Sequence, residues 1–354
     1  IGNYAGVRMK YYVRPIFSQN LNRSKNCLKL GSSKLYFSSI EIVSRSKNQV
    51  KKKCIKLDEL DSLNRNEFNS VNAQLENITN PRKKIATLSF DQPNIMGILN
   101  VTPDSFSDGG KYNEIKKATA YAKQMVKDGA SIIDIGGEST RPGASTVNEK
   151  LEIERVIPII KKIKKENKKM IISLDTRKPK VMAEGIKNKV QLINDVSGLR
   201  YSGKSIEIIK DKKIPFVLMH SIKTPKTMQL NIKYDNVVLD VYDFFKKNIA
   251  MCEKNKIDKK SIILDPGIGF GKSVKQNLSL ISNIALFHSL GCPILLGSSR
   301  KSFIGKLHKN ALEEKRLGGS ISSVIYALNQ GVQIFRVHDV FETSQAIKVF
   351  KKIK

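Results

Sequence analysis

Asp175, Asn194 and Asp265 each stand at the end of a short apolar run, and all three offer hydrogen-bond acceptors. Acceptors of this kind suit a flat heterocycle that presents adjacent N–H and amino donors. A second set, Asn100, Arg141, Arg336 and His338, is poor in acid and rich in donors. It suits a phosphate or diphosphate, because a guanidinium offers two parallel bonds to the anion. Lys301 could serve either part. Singly, each has a plainer reading: an Asp after a strand is often a helix cap, and a lone His an ordinary hydrogen-bond partner. Together they point to one ligand with a ring and an anionic tail.

Other chemistries lack the spacing they need. Residues 267–273 imitate a phosphate-cradling loop, but its required first glycine falls on Pro266. His220, His288, His308 and His338 have no i, i+4 partner and no clustered cysteine, which argues against a catalytic zinc site. Ser298, Ser299 and Ser302 lack the Gly-x-Ser-x-Gly elbow of a serine hydrolase.

The elements that must position these residues can be counted. Apolar runs fall at 95–99, 132–135, 170–174, 190–193, 214–218, 262–264, 293–296 and 332–335. Segments of helical periodicity follow them at 115–127, 151–165, 179–187, 205–210, 237–254, 273–286, 312–329 and 340–350. Eight strand–helix units predict an α/β fold, a (β/α)8 TIM barrel. The rival, a doubly wound open sheet, usually carries Gly-x-Gly-x-x-Gly after its first strand, and that is absent. A barrel places its site at the C-terminal strand ends, and all eight ends here carry polar functional groups.

Residues 1–93 do not share the repeat and read as an N-terminal extension or mini-domain, with 94–354 as the barrel. Short strands are expected at Tyr11-Tyr12-Val13 and around 34–37, a basic polar connector at 44–56, and a Leu-spaced segment at 55–63. Nothing in them carries chemistry. Residues 1–8 read as tag or upstream sequence, with Met9 as a natural start.

The chain of 354 residues holds 63 basic and 32 acidic side chains, a formal charge of +31. The excess is spread out, +11 over residues 1–90 and +20 over the rest, with no nucleic-acid-binding motif beside it. It reads as solvated surface rather than a nucleic-acid footprint. No apolar run approaches the roughly 18–20 residues that span a bilayer. Four scattered cysteines form no C-x-x-C pair and suit a reducing cytoplasm.

Five motifs carry a family resemblance. Residues 95–110 (IMGILNVTPDSFSDGG) and 134–143 (DIGGESTRPG) resemble the first two loop signatures of the dihydropteroate synthases. DPGIGFGK at 265–272, SRKS at 299–302 and RVHD at 336–339 follow in order, so the resemblance covers residues 95–354. It implies a transferase that joins 6-hydroxymethyl-7,8-dihydropterin diphosphate to p-aminobenzoate, giving 7,8-dihydropteroate and pyrophosphate. The pterin would lie on Asp175, Asn194, Asp265 and Lys301, with Met219, Phe270 and Gly297 around it. The diphosphate would meet Asn100, Thr140, Arg141, Arg336 and His338, with Asn100 also on Mg2+. Phe106, Pro142, Ser299 and Ser302 would frame p-aminobenzoate. Asp175, Asp265, Lys301, Arg336 and His338 would carry the catalytic work. The resemblance further implies a homodimer and an enzyme of the class that sulfonamides target. One departure stands out: after Met219-His220 the family commonly has a glycine within three residues, and this chain reads Ser221-Ile222-Lys223-Thr224-Pro225.

Overall fold

The described residues between 10 and 56 place apolar side chains on two faces, and both faces find a partner. In the computed structural model, which describes residues 9–18, 26–47, 49–101, 110–139, 146–221 and 233–353, they form an antiparallel sheet. Its strands are β1 (Lys10–Ser18), β2 (Leu28–Lys29), β3 (Tyr36–Ser46) and β4 (Gln49–Lys56), with β3 pairing all three others. Val13, Ile40 and Ile42 face the helix α1 (Arg65–Thr79) and its Val71, Leu75 and Ile78. Tyr12 and Val43, one residue out of phase, point the other way and join the core around the barrel.

One expectation for this region is corrected. The connector expected at 44–56 is a hairpin, because β4 is an edge strand held by backbone pairing to β3 while its lysines stay in solvent. The Leu-spaced segment 55–63 contains a 3₁₀ turn, Leu57–Ser62. The helix follows it, where Asn64 accepts the N–H of Glu67 and caps the first turn.

Eight parallel strands follow: β5 (Asn94–Asn100), β6 (Ile132–Gly136), β7 (Ile171–Asp175), β8 (Leu192–Asp195), β9 (Phe216–Met219), β10 (Ile262–Asp265), β11 (Leu295–Leu296) and β12 (Ile334–Val337). They run in the order β10-β9-β8-β7-β6-β5-β12-β11, and a bridge between Leu264 and Ile294 joins the two ends. The expected (β/α)8 barrel is therefore present. Between the strands lie α2 (Gly110–Asp128), α3 (Glu149–Glu166), α4 (Pro179–Lys187), α5 (Gly203–Lys212), α6 (Val237–Lys254) and α7 (Val274–Ser282). Then come α8 (Ser302–Leu307), α9 (Leu317–Asn329) and α10 (Val340–Ile353). The helix expected at 273–286 breaks at Asn283 into a 3₁₀ turn, Ile284–Leu290. Helix α8 was not expected, and the helix expected from residue 312 begins at Leu317 after a 3₁₀ turn.

One inward residue per strand makes the barrel's lower layer: Met96, Ile132, Ile171, Leu192, Val217, Ile263, Leu295 and Ile334. Ile85, Leu88 and Phe90, from the segment leading into β5, pack against the same layer. Each such side chain contributes about 1.5–3 kcal/mol by leaving water. This apolar floor fixes the height at which the chemistry begins.

Candidate active site

A strand's side chains alternate, so two residues further along each strand the chain points inward again. Two steps above the floor stand Ile98, Asp134, Ser173, Asn194, Met219, Asp265, Gly297 and Arg336. The layer changes from apolar to polar within one step. One step higher β7 and β5 end in Asp175 and Asn100.

Arg336 organises this layer. Its Nε donates to Asp134 Oδ2 at 2.7 Å, and its Nη2 to Asp175 Oδ2 at 2.7 Å. Asn194 donates from Nδ2 to the same Asp134 oxygen at 3.0 Å. Three buried oxygens of this layer remain without a protein partner: Asp134 Oδ1, Asn194 Oδ1 and Ser173 Oγ. Orphaned acceptors in a buried layer are costly unless a ligand supplies the donors. Burial also raises the Asp175 carboxyl above its ordinary range, with Arg336 pulling the other way. Asp265 is raised by the same cause, though the N–H of Gly267 donates to its Oδ1 at 2.7 Å.

The loop after β10 is stitched from inside. Lys272 is buried and donates to the carbonyls of Gly267 and Phe270, both at 2.9 Å, and of His220 at 3.4 Å. Burial pushes this ammonium down to about 7. The lysine of the false phosphate loop thus serves backbone carbonyls. The loop in turn presents Phe270, which packs with Met219 and carries Lys301 Nζ 4.3 Å from its ring centroid. Burial and then Arg336 lower Lys301 to about 8.

The loop after β11 is fixed to α9 by Ser298 with Ser323 at 2.7 Å and by the Arg300 N–H on Ser320 Oγ. Ser299 sits 3.0 Å from His338 Nδ1, and its oxygen also accepts the His338 backbone N–H at 3.2 Å. A tautomer with its proton on Nε2 takes the Ser299 hydroxyl proton at Nδ1 and leaves Nε2–H as a donor. Burial, then Arg336, Arg300 and Lys301, push His338 down to about 3, so the ring stays neutral.

The second loop is anchored at both of its described ends. Glu138 accepts from Arg177 at 3.0 Å, Lys178 at 3.0 Å and the Val147 N–H at 2.9 Å. Burial alone would raise this carboxyl, and those bonds outweigh it and hold it low. Lys178 also bonds the buried Glu152 of α3.

Asp175, Asn194, Asp265, Met219, Phe270, Gly297, Lys301 and Arg336 come together as a single group. His338 and Ser299 lie beside it, and the structure joins Ser299 to His338 directly. Asn100 is exposed at the end of β5, and Ser302 is exposed in the first turn of α8. Phe106, Thr140, Arg141 and Pro142 lie outside the described residues, as do residues 222–232 of the unusual fifth loop. Sequence reasoning missed Asp134, the residue on which Arg336 and Asn194 both converge. Its signal was positional, because it stands one inward step above Ile132, as Asn194 does above Leu192.

The family model for pterin binding enzymes matches residues 96–338. A dihydropteroate synthase of Escherichia coli (strain K12) is 46% identical over 263 residues, 74% of this chain and 92% of that protein. A solved Xanthomonas albilineans dihydropteroate synthase with 4-aminobenzoic acid is 40% identical, with TM-score 0.70 over 75% of this chain and 94% of its own. The Yersinia pestis enzyme, in complex with a sulfonamide drug, is 39% identical, with TM-score 0.71 over 77% of this chain and 98% of its own.

Proposed function

The chain belongs to the pterin binding enzymes as a dihydropteroate synthase, and from that premise we propose how its residues divide the reaction. The enzyme joins 6-hydroxymethyl-7,8-dihydropterin diphosphate to p-aminobenzoate and releases pyrophosphate. The pterin lies on the polar layer, where the orphaned oxygens of Asp134 and Asn194 accept its ring N–H and amino protons. Those two oxygens are the observation that carries this assignment. Asp175 and Asp265 supply further acceptors, and the Phe270–Lys301 pair and Met219 cover a ring face.

The diphosphate lies toward Arg336 and His338, with Thr140 and Arg141 from the second loop. In the step itself the bond from the exocyclic methylene carbon to the diphosphate oxygen breaks, and its electron pair leaves with the diphosphate. The arylamine nitrogen bonds to that carbon and gives up one proton to water or to the departing diphosphate. Arg336 and the neutral Nε2–H of His338 meet the charge that develops on the leaving oxygens. The amine needs placement more than a base, and we assign that to Phe106, Pro142, Ser299 and Ser302.

We assign Mg2+ to Asn100. A single carboxamide oxygen fits, since Mg2+ keeps several waters and commonly takes one or two protein ligands beside substrate phosphates. Bound there, it would neutralise diphosphate charge and ease its departure.

We further propose a homodimer through the apolar groove of about 620 Å3 between α7, α8 and α9. Leu278, Leu307 and Tyr326 line it and are each at least 40% exposed in one copy. No helix of the described residues is long and apolar enough to cross a membrane. The free cysteines support a reducing cytoplasm. The test of the site assignment is calorimetric binding of the pterin, with and without diphosphate, to wild type, Asn194→Leu and Asp175→Asn. Loss of pterin binding in both variants is expected, and wild-type binding in both would remove the assignment.

A further inference from the structure

Arg45, next to the end of β3 in the N-terminal sheet, reaches the first turn of α6. Its Nη1 donates to Asp240 Oδ1 at 2.6 Å, and its Nη2 lies 3.6 Å from Asp235 Oδ2. The other Asp240 oxygen accepts the backbone N–H groups of Asp235 at 3.0 Å and Asn236 at 3.2 Å. One carboxylate therefore ties the extension to the backbone that leaves the fifth loop. Beside it, Lys10 Nζ donates to Asp243 at 2.6 Å and the Tyr12 hydroxyl bonds the same carboxylate at 3.2 Å. Asp235 is 85% exposed and contributes little, whereas Arg45 and Asp240 are 17% and 25% exposed and sheltered from solvent.

The residue before Asp235 continues the path. The Tyr234 hydroxyl donates to the Gly271 carbonyl at 3.2 Å, and its ring lies 6.0 Å from that of His220. Gly271 follows Phe270, the residue that carries Lys301 over its ring and packs on Met219. Three side chains thus connect the N-terminal sheet to the aromatic wall of the pocket. The family match begins at residue 96, so the first of these contacts comes from outside it.

We propose that the N-terminal module positions the pterin pocket, with Arg45 as its positioning residue acting through Asp240 and Tyr234 on Gly271 and Phe270. The proposal rests on the pterin assignment above. The bland competitor is a module that merely clamps the barrel, which would change stability and leave substrate binding alone.

The experiment uses the full chain and four variants: Arg45→Met, Arg45→Lys, Asp240→Asn and Tyr234→Phe. Steady-state constants for both substrates, thermal midpoints and calorimetric pterin binding are measured. Arg45→Met raises the KM for the pterin diphosphate by about threefold to tenfold, while kcat and the KM for p-aminobenzoate stay within about twofold. Arg45→Lys, which keeps the charge, restores most of that loss. Asp240→Asn and Tyr234→Phe give the same pattern, and combining Tyr234→Phe with Arg45→Met adds little more. A lowered midpoint with an unchanged pterin KM in Arg45→Met overturns the proposal. Should that variant not fold, Tyr234→Phe decides alone, since it removes one hydroxyl and an unchanged pterin KM overturns the proposal. Asp175→Asn runs beside them: wild-type pterin binding there sinks the site assignment. Lost binding there with wild-type binding in the Arg45 and Tyr234 variants sinks only the positioning role.

Discussion

Arg336 donates to Asp175 at 2.7 Å across the barrel mouth, although β12 and β7 are separated by two strands. The same guanidinium holds Asp134, so one cation stands against two buried carboxylates.

Asp175→Asn is expected to lower kcat/KM by about tenfold to a hundredfold, the worth of one charge-assisted bond. Its stability effect has a definite sign. Burial, with Asp134, Glu152 and Asp195 nearby, raises the Asp175 carboxyl. A raised carboxyl favours the protonated fold, so its contribution is full at low pH and is lost as pH rises through the raised value. The stability of Asp175→Asn relative to wild type should therefore increase from about pH 5 to about pH 8. Denaturant titrations across that range check it, and a flat or opposite trend would refute the raised carboxyl.

His338 is held at about 3, so it should stay neutral wherever the enzyme works. The imidazole signals of His338 in an NMR titration should not move between about pH 5 and about pH 8. The linkage has the opposite sign from Asp175. The unfolded chain takes up a proton below the ordinary histidine value while the fold does not, so this residue costs stability as pH falls through that window. Wild type should lose stability relative to His338→Gln between about pH 7.5 and about pH 5.5. Ser299→Ala, which frees Nδ1, should cut kcat/KM by about threefold to tenfold through a misdirected ring. A midpoint near 6.5 for His338 would contradict the neutral-donor role.

Much of the barrel was legible because each strand's end is a change from apolar to polar residues, as between Leu174 and Asp175 or Leu264 and Asp265. Apart from β11, which ends with its run at Leu296, the observed strands run one or two residues past the apolar runs, since backbone pairing continues under the polar side chains. Asp134 was hidden because Ile135 and Gly136 follow it, so it does not stand at a visible run end. The β4 strand was hidden because its pairing uses backbone groups and its side chains are lysines. Helix α1 was readable in principle, from Asn64 and Glu67 at capping distance and Val71, Leu75 and Ile78 on one face. The Ser299–His338 bond joins loops 39 residues apart, and no local pattern announces it.

The groove between α7, α8 and α9 gives a direct test of the second copy. Leu307 is 57% exposed and Leu278 40% exposed at its walls. Leu278→Glu combined with Leu307→Glu places two charges where the partner would bury them. Light scattering after size exclusion should give twice the chain mass for wild type and the single chain mass for the variant. A monomeric wild type would remove the dimer from the proposal.

Gly267 occupies a position where only glycine fits. Its φ is +66°, and a Cβ there would lie 2.1 Å from the His220 carbonyl oxygen, a backbone atom that cannot move aside. Its N–H bonds Asp265 and its carbonyl takes Lys272. Gly267→Ala must therefore break the bond to Asp265, the Lys272 stitch, or the β9 end that carries Met219. We expect a loss of about 2–4 kcal/mol from strain and overpacking, with pterin binding reduced along with it. Gly203, in the first turn of α5, is the control: a Cβ there meets nothing within 4 Å. Gly203→Ala should leave pterin binding intact and stabilise the fold by about 0.4–1 kcal/mol, because the unfolded chain loses freedom. Denaturant melts of the two variants side by side decide the matter, and equal effects would show that the sixth loop does not depend on Gly267.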